Sequence, residues 1–256
     1  MTTPSLLLHR DAEALTHAVA ARLVTRLVDA QSNGRVASVA LTGGRIAAAV
    51  YRTIAESPAR SAIDWSRVEL WWSDERFLPP GDPERNETQA REALLEQVPL
   101  DPGRLHPMPA DTGQGAEQAA AAYAAELAKA AEPGARMPAP VMDLVILGVG
   151  PDGHVASLFP EQPALHEQER TVVAVHGAPK PPPTRLTMTM PVLCRTAEVW
   201  FVVSGADKAS AVRLALSGAG PMQIPAAGPK GRNRTLWLLD NAAAAEVPKA
   251  IRPPLI

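Results

Sequence analysis

The sequence predicts an α/β fold built on a mostly parallel sheet with helices on both faces, and three observations predict it. Strand and helix patterns alternate along most of the chain, as a parallel sheet with crossover helices requires. Residues 144–147 (LVIL) are uninterruptedly apolar, the signature of a strand buried on both faces. The chain has 256 residues, 46% hydrophobic and 20% charged, enough for one large α/β core or for two small domains.

The elements follow in order. The N-terminal apolar run, Leu6 to Leu8, is far too short for a signal or an anchor, so the chain reads as cytoplasmic. Residues 11–30 set Ala14, Ala18, Ala21 and Val28 on one face with Leu15, Val19 and Leu23 beside them, an amphipathic helix. A strand at 36–41 leads through a two-glycine turn into a helix at 46–55, and a strand at 68–72 is followed by a helix at 85–98. The alanine-rich stretch 115–131 is a strong helix former that stops at Pro133-Gly134. Strands are expected at 144–147, 171–175 and 185–188, and Pro191 suits an early helix position. A strand at 199–203, a helix at 206–216, a strand at 235–239 and a short helix from Asp240 complete the chain.

Composition excludes several classes. A net charge of −2 offers no electrostatic case for nucleic acid or an anionic membrane. The single cysteine, Cys194, rules out an internal disulfide and a cysteine metal cluster, and between Leu193 and Arg195 it reads as a small core residue. The 26 prolines, about double the usual ~5%, cluster at 133–140, 179–183 and 221–229, in loops and surface connectors. There is no internal repeat.

The chemistry concentrates at strand ends. The strand at 144–147 runs through Gly148 into Pro151-Asp152-Gly153-His154, so a carboxylate and an imidazole stand two positions apart past a strand's carboxyl end, where open α/β sheets gather ligands. A carboxylate beside an imidazole orients it and raises its basicity. Gly148, Gly150 and Gly153 also spell G-x-G-x-x-G, but Pro160 and Pro163 interrupt the helix that a dinucleotide site needs, and the next strand ends in His176-Gly177 instead of an acid.

Thr42-Gly43-Gly44-Arg45 lies at a strand-to-helix turn, where backbone N–H groups and a helix N-terminus favour an anion; a tight turn without a ligand fits the sequence equally well. Ser73-Asp74-Glu75-Arg76 places three consecutive charges at another strand's carboxyl end, ahead of Pro79-Pro80, either as a site or as a solvated loop. Arg185 follows a stiff triple proline. Lys208, in the first turn of a helix, opposes the macrodipole unless an anion lies near. Together these groups suit a small phosphorylated polar substrate and acid–base chemistry.

These motifs resemble the glucosamine-6-phosphate isomerase/6-phosphogluconolactonase family over essentially the whole length. The residues that carry the resemblance are LTGG (41–44), WWSDERFLPP (71–80), Asn86, GVGPDGHVASLFP (148–160), PPPTRLTMTMP (181–191) and SGADKASAV (204–212). Arg45 departs from the small residue the family often has after the double glycine. The resemblance implies one Rossmann-like domain over residues 1–256, no metal or organic cofactor, and a sugar-phosphate lactone as partner; a monomer that binds neither nucleic acid nor membrane is expected. It implies hydrolysis of that lactone with His154 as general base and Asp152 orienting the water or the imidazole. The phosphate would sit on Thr42, Gly43 and Gly44 with Arg76, Arg185 and Lys208 as cations, while Asp74 and Glu75 bind substrate hydroxyls or hold Arg76. The amino-sugar deaminases of the family carry Asn-Glu-Pro where this chain has Ser157-Leu158-Phe159-Pro160.

Overall fold

The structure, a computed structural model, describes residues 3–252; residues 1–2 and 253–256, the ends of the expected 1–256 unit, lie outside the described residues. The chain begins β1 (Ser5–His9), α1 (Ala12–Ser32), β2 (Ala37–Leu41), α2 (Arg45–Glu56), β3 (Val68–Trp72) and β4 (Asp74–Arg76). It continues α3 (Asn86–Ala93), α4 (Ala116–Lys129), β5 (Leu144–Leu147), β6 (Val172–Val175) and β7 (Arg185–Met188). It ends α5 (Met190–Leu193), β8 (Glu198–Val203), α6 (Ala209–Leu216) and β9 (Arg234–Asp240), with short 3₁₀ turns between several of these.

Six strands form one parallel sheet in the order β1-β9-β8-β5-β2-β3. All four residues of β5 are buried, as an interior parallel strand requires. Side chains alternate across a strand, which assigns the helices to faces. Leu70, Val39 and Leu41 share one face and line a small apolar void with Leu23 and Leu27 of α1 and Tyr51 and Ile54 of α2. Trp71 points the other way, 6.2 Å centroid to centroid from Tyr123 of α4. One hydrophobic cluster runs from Leu15 and Val19 through the strands to Tyr123, Leu186 and Met188. Each such side chain taken fully out of water contributes roughly 1.5–3 kcal/mol.

The local sequence explains the boundaries. Asp11 is the N-cap of α1 and not its first residue, its carboxylate accepting from Ala14 N at 2.8 Å. The helix expected at 85–98 stops at Ala93, because the chain breaks from helical geometry at Leu94 (φ −151°) and buries both Leu94 and Leu95. The helix expected at 206–216 opens as a 3₁₀ turn, Ala206–Lys208, before α6. No helix starts at Asp240; it is the last residue of β9, Asn241 N still bonds His9 O of the adjoining strand, and turns follow before a 3₁₀ turn at Lys249–Ile251.

Two strands were not expected. The Leu6 to Leu8 run belongs to β1, an edge strand paired in parallel with β9. The charged segment at Asp74 is β4, which joins β7 and β6 in a second, antiparallel sheet of order β4-β7-β6. Ser73 joins the two sheets, donating its N–H to Leu41 O and accepting from Met188 N. Among the described residues, no helix is long and apolar enough to cross a membrane.

Parallel strands bring their carboxyl ends to one edge. The segments after β2, β3, β5 and β8 therefore converge, and β7 reaches the same edge by pairing with β4.

Candidate active site

A cleft of about 850 Å³ opens along that edge. Its floor is the turn after β5. Gly153 N donates to Gly150 O and Gly150 N to His154 O, both at 2.9 Å, and Gly153 takes a φ of +84°. The turn brings His154 Nδ1 to 2.5 Å from Asp152 Oδ1. A Cβ at Gly150 would overlap both His154 Nδ1 and Asp152 Oδ1, so the middle glycine of the G-x-G-x-x-G run makes room for this pair. No long helix opens at Gly153; the chain passes through turns and a bridge between Val155 and Leu158.

With Nδ1 engaged by the carboxylate, Nε2 is the nitrogen left for chemistry. The imidazole lies 4.5 Å from the buried Phe159 ring. Burial alone would raise the Asp152 carboxyl. The hydrogen bonds and charge of His154, with the Lys180 ammonium, overcome it and hold the carboxyl at about 2.

The Thr42-Gly43-Gly44 turn forms a second wall at the start of α2. No side chain caps that helix, so its first N–H groups remain for a ligand. Gly43 is required because the Asn86 side-chain amide occupies the space of its Cβ. Arg45, the first residue of α2, also lines the cleft. Lys208 lies in the wall after β8, with Nζ 3.1 Å from Asp207 Oδ2.

Strand alternation sorts the acid-rich segment. Asp74 and Arg76 of β4 line the cleft. Asp74 is held by the Ser157 hydroxyl, which donates to Oδ2 at 2.7 Å, and by Asn86 Nδ2, which donates to its carbonyl at 3.0 Å. Arg76 donates from one Nη to Glu84 O, and its Nε has no partner. Glu75 points away from the cleft and is fully buried. Its carboxylate accepts from the backbone N–H groups of Arg76, Asn86 and Glu87, and Arg85 lies 3.6 Å away. Burial pushes the Glu75 carboxyl up to about 7, with Arg85 and the three N–H donors opposing it. The expectation that Glu75 binds substrate hydroxyls is thereby corrected: it caps α3 and fixes the backbone on either side of the cleft residues Arg76 and Asn86.

Arg185 lines the cleft but spends most of its guanidinium on its own loop. Nε donates to Pro182 O, and Nη2 to Lys180 O and Pro181 O, at 3.0–3.2 Å. That leaves Nη1 for a ligand. The guanidinium carbon stands 5.7 Å from the Phe159 ring centroid. Thus Thr42, Gly43, Gly44, Asp74, Arg76, His154, Arg185 and Lys208 share one cleft, with Asp152 directly behind His154. Asn86 and Lys180 join them without having been placed in the site from sequence. The triple proline marks the loop, and the cations on both sides of it, Lys180 and Arg185, line the cleft. Among the described residues, no cluster of three or more His, Cys, Asp or Glu side chains has a metal-binding arrangement.

Comparison with known proteins agrees with this geometry. The family model described as glucosamine-6-phosphate isomerases/6-phosphogluconolactonase matches residues 10–237. The 6-phosphogluconolactonase of Streptomyces coelicolor is 58% identical over 255 residues, covering 98% of each chain. That of Mycobacterium tuberculosis is 47% identical over 241 residues, covering 93% of this chain and 96% of its own. Among solved structures, the 6-phosphogluconolactonase of Thermotoga maritima has a TM-score of 0.79 at 26% identity, over 93% of this chain and 100% of that one. The enzyme of Trypanosoma brucei shares the fold with a TM-score of 0.84 at 24% identity, over 97% of this chain and 100% of that one. This chain belongs to the glucosamine-6-phosphate isomerase/6-phosphogluconolactonase family.

Proposed function

We propose that this chain hydrolyses 6-phospho-D-glucono-1,5-lactone to 6-phosphogluconate, the lactone-opening step of the oxidative pentose phosphate pathway. The observation that carries the reading is the His154–Asp152 pair at 2.5 Å on the floor of a cleft whose other walls hold cations and an uncapped helix start. The 58% identity to a 6-phosphogluconolactonase over nearly the whole chain supports the choice of substrate.

His154 Nε2 accepts a proton from a water as that water attacks the lactone carbonyl carbon. Asp152 fixes the ring through Nδ1 and stabilises the imidazolium that forms. The tetrahedral oxyanion collapses with cleavage of the bond to the ring oxygen, and the imidazolium returns its proton to that oxygen. A free hydroxyl and a carboxylic acid result, and the acid ionises in water. The 6-phosphate lies on the Thr42–Gly44 turn, within reach of Lys208 and of the free Nη groups of Arg76 and Arg185, where charge-assisted bonds favour a dianion. Asp74, an acceptor held by Ser157 and Asn86, binds a sugar hydroxyl.

The test is an assay on freshly made 6-phosphogluconolactone, corrected for spontaneous hydrolysis, beside ammonia release from glucosamine 6-phosphate. Rapid lactone opening without ammonia is the expected result. Ammonia without lactone opening would assign the cleft to the deaminase chemistry of the family instead.

A further inference from the structure

Asp240 is buried at the carboxyl end of β9 and lies outside the cleft lining, yet its carboxylate holds the cleft wall that carries Lys208. Oδ2 accepts from the Ser204 hydroxyl at 2.5 Å and from Gly205 N at 3.1 Å. Oδ1 accepts from Ala243 N at 2.7 Å and takes a second, 3.2 Å contact from Gly205 N. The carboxylate therefore ties together the turns that leave two neighbouring strands, β8 and β9. Gly205, at φ +107°, begins the 3₁₀ turn that ends in Lys208, and Lys208 N closes that turn on Gly205 O at 3.1 Å. From Asp240 to Lys208 the chain of bonds runs through backbone at every step, so a change at the carboxylate moves the base of the lysine.

We propose that Asp240 is a positioning residue for the anion-binding wall of the cleft: by clamping the Ser204-Gly205 turn it sets where the Lys208 ammonium meets the substrate's phosphate. This extends the proposed function and rests on its assignment of Lys208 to the phosphate. His154 and Asp152 stand on the turn after β5, and none of the Asp240 bonds reaches them. The effect therefore falls on binding of the phosphoryl group and spares proton transfer.

The variant is Asp240→Asn, which keeps the shape but leaves one oxygen to serve donors that now share two, and it turns an amide N–H toward one of them. Losing a hydrogen bond to a charged group is expected to raise KM for 6-phosphogluconolactone about tenfold, with kcat unchanged. The kcat/KM for unphosphorylated δ-gluconolactone should stay as in the wild type. Ser204→Ala, which removes a single donor, should show the same pattern more weakly and serves if the Asp240 variant does not fold. Binding of inorganic phosphate, measured by calorimetry, should weaken in parallel.

Equal loss on both lactones, or a fall in kcat at constant KM, would overturn the proposal, because a merely structural residue or one acting on His154 behaves that way. Unchanged phosphate affinity in both variants would also overturn it. If the wild type binds phosphate but opens no lactone, the lactonase reading fails. Weaker phosphate binding in the variants would then still uphold Asp240 as the residue that sets the anion wall.

Discussion

At Gly150 a side chain would occupy the space of His154 Nδ1 and Asp152 Oδ1, so the contact between base and carboxylate depends on a missing methyl group. The contact makes Asp152 the most informative single substitution. Asp152→Asn keeps the shape and removes the charge. Without the carboxylate the imidazole loses the group that orients it and stabilises the imidazolium, so the maximal rate falls. An unchanged rate would remove Asp152 from the catalytic machinery. Stability changes as well, with a definite sign. The folded carboxyl sits at about 2 instead of 3.8, so its contribution is present above 3.8 and is lost as pH falls through about 2. The gap in melting temperature between wild type and variant should therefore close over that window.

Arg76 tests the cations of the cleft wall. It offers a side chain with one Nη anchored on Glu84 O, so the remaining Nη hydrogens can meet a phosphate oxygen in fixed geometry. Arg76→Ala is expected to raise KM for the phosphorylated lactone roughly ten- to hundredfold and to leave unphosphorylated gluconolactone little changed. Equal effects on both substrates would assign Arg76 to structure.

At the scale of elements, β4 decides what the acid-rich segment does. Read as a loop, Asp74-Glu75-Arg76 has no inherent sidedness, and all three residues are equally fit for the site. Paired with β7 it is a strand, and alternation sends Asp74 and Arg76 into the cleft and Glu75 behind it. A three-residue charged strand has no hydrophobic period to announce itself, and only its tertiary partner makes it one. The turns after β2 and β5 were legible because each is continuous in sequence and its glycines mark the backbone geometry. Asn86, Lys180 and Asp240 were not, since their roles come from neighbours far along the chain. Glu75→Ala would leave the buried Arg85 with carbonyl acceptors such as Met108 O but no carboxylate, and would strip the three N–H groups of their acceptor. Breaking a buried pair in this way costs about 3–5 kcal/mol. Chemical denaturation should show that loss as a lower midpoint, and a midpoint within error of the wild type would remove Glu75 from the supports of α3.

For the molecule as a whole, scaffold and chemistry are separable. The parallel sheet is held by apolar strands and by helices on both faces, and the polar side chains of the cleft lie outside that apolar cluster. Those side chains come from four strand ends and from the second sheet, and the fold's contribution is to bring them to one cleft. The length and periodicity of the strands made this architecture readable. The antiparallel sheet is harder to read, because β6 and β7 are short and β4, which pairs with β7, is charged.

The most direct measurement is the turnover of His154→Ala on 6-phosphogluconolactone, taken together with its melting temperature. The ring packs on Phe159 and pairs with Asp152, and no helix or strand hangs from it, so the variant should still fold, its melting lowered only by the loss of that pair. General-base catalysis accounts for about 10²–10⁴-fold in rate, and kcat is expected to fall by that factor. A folded variant that keeps near-normal kcat would show that His154 is not the base and would contradict the account of this cleft.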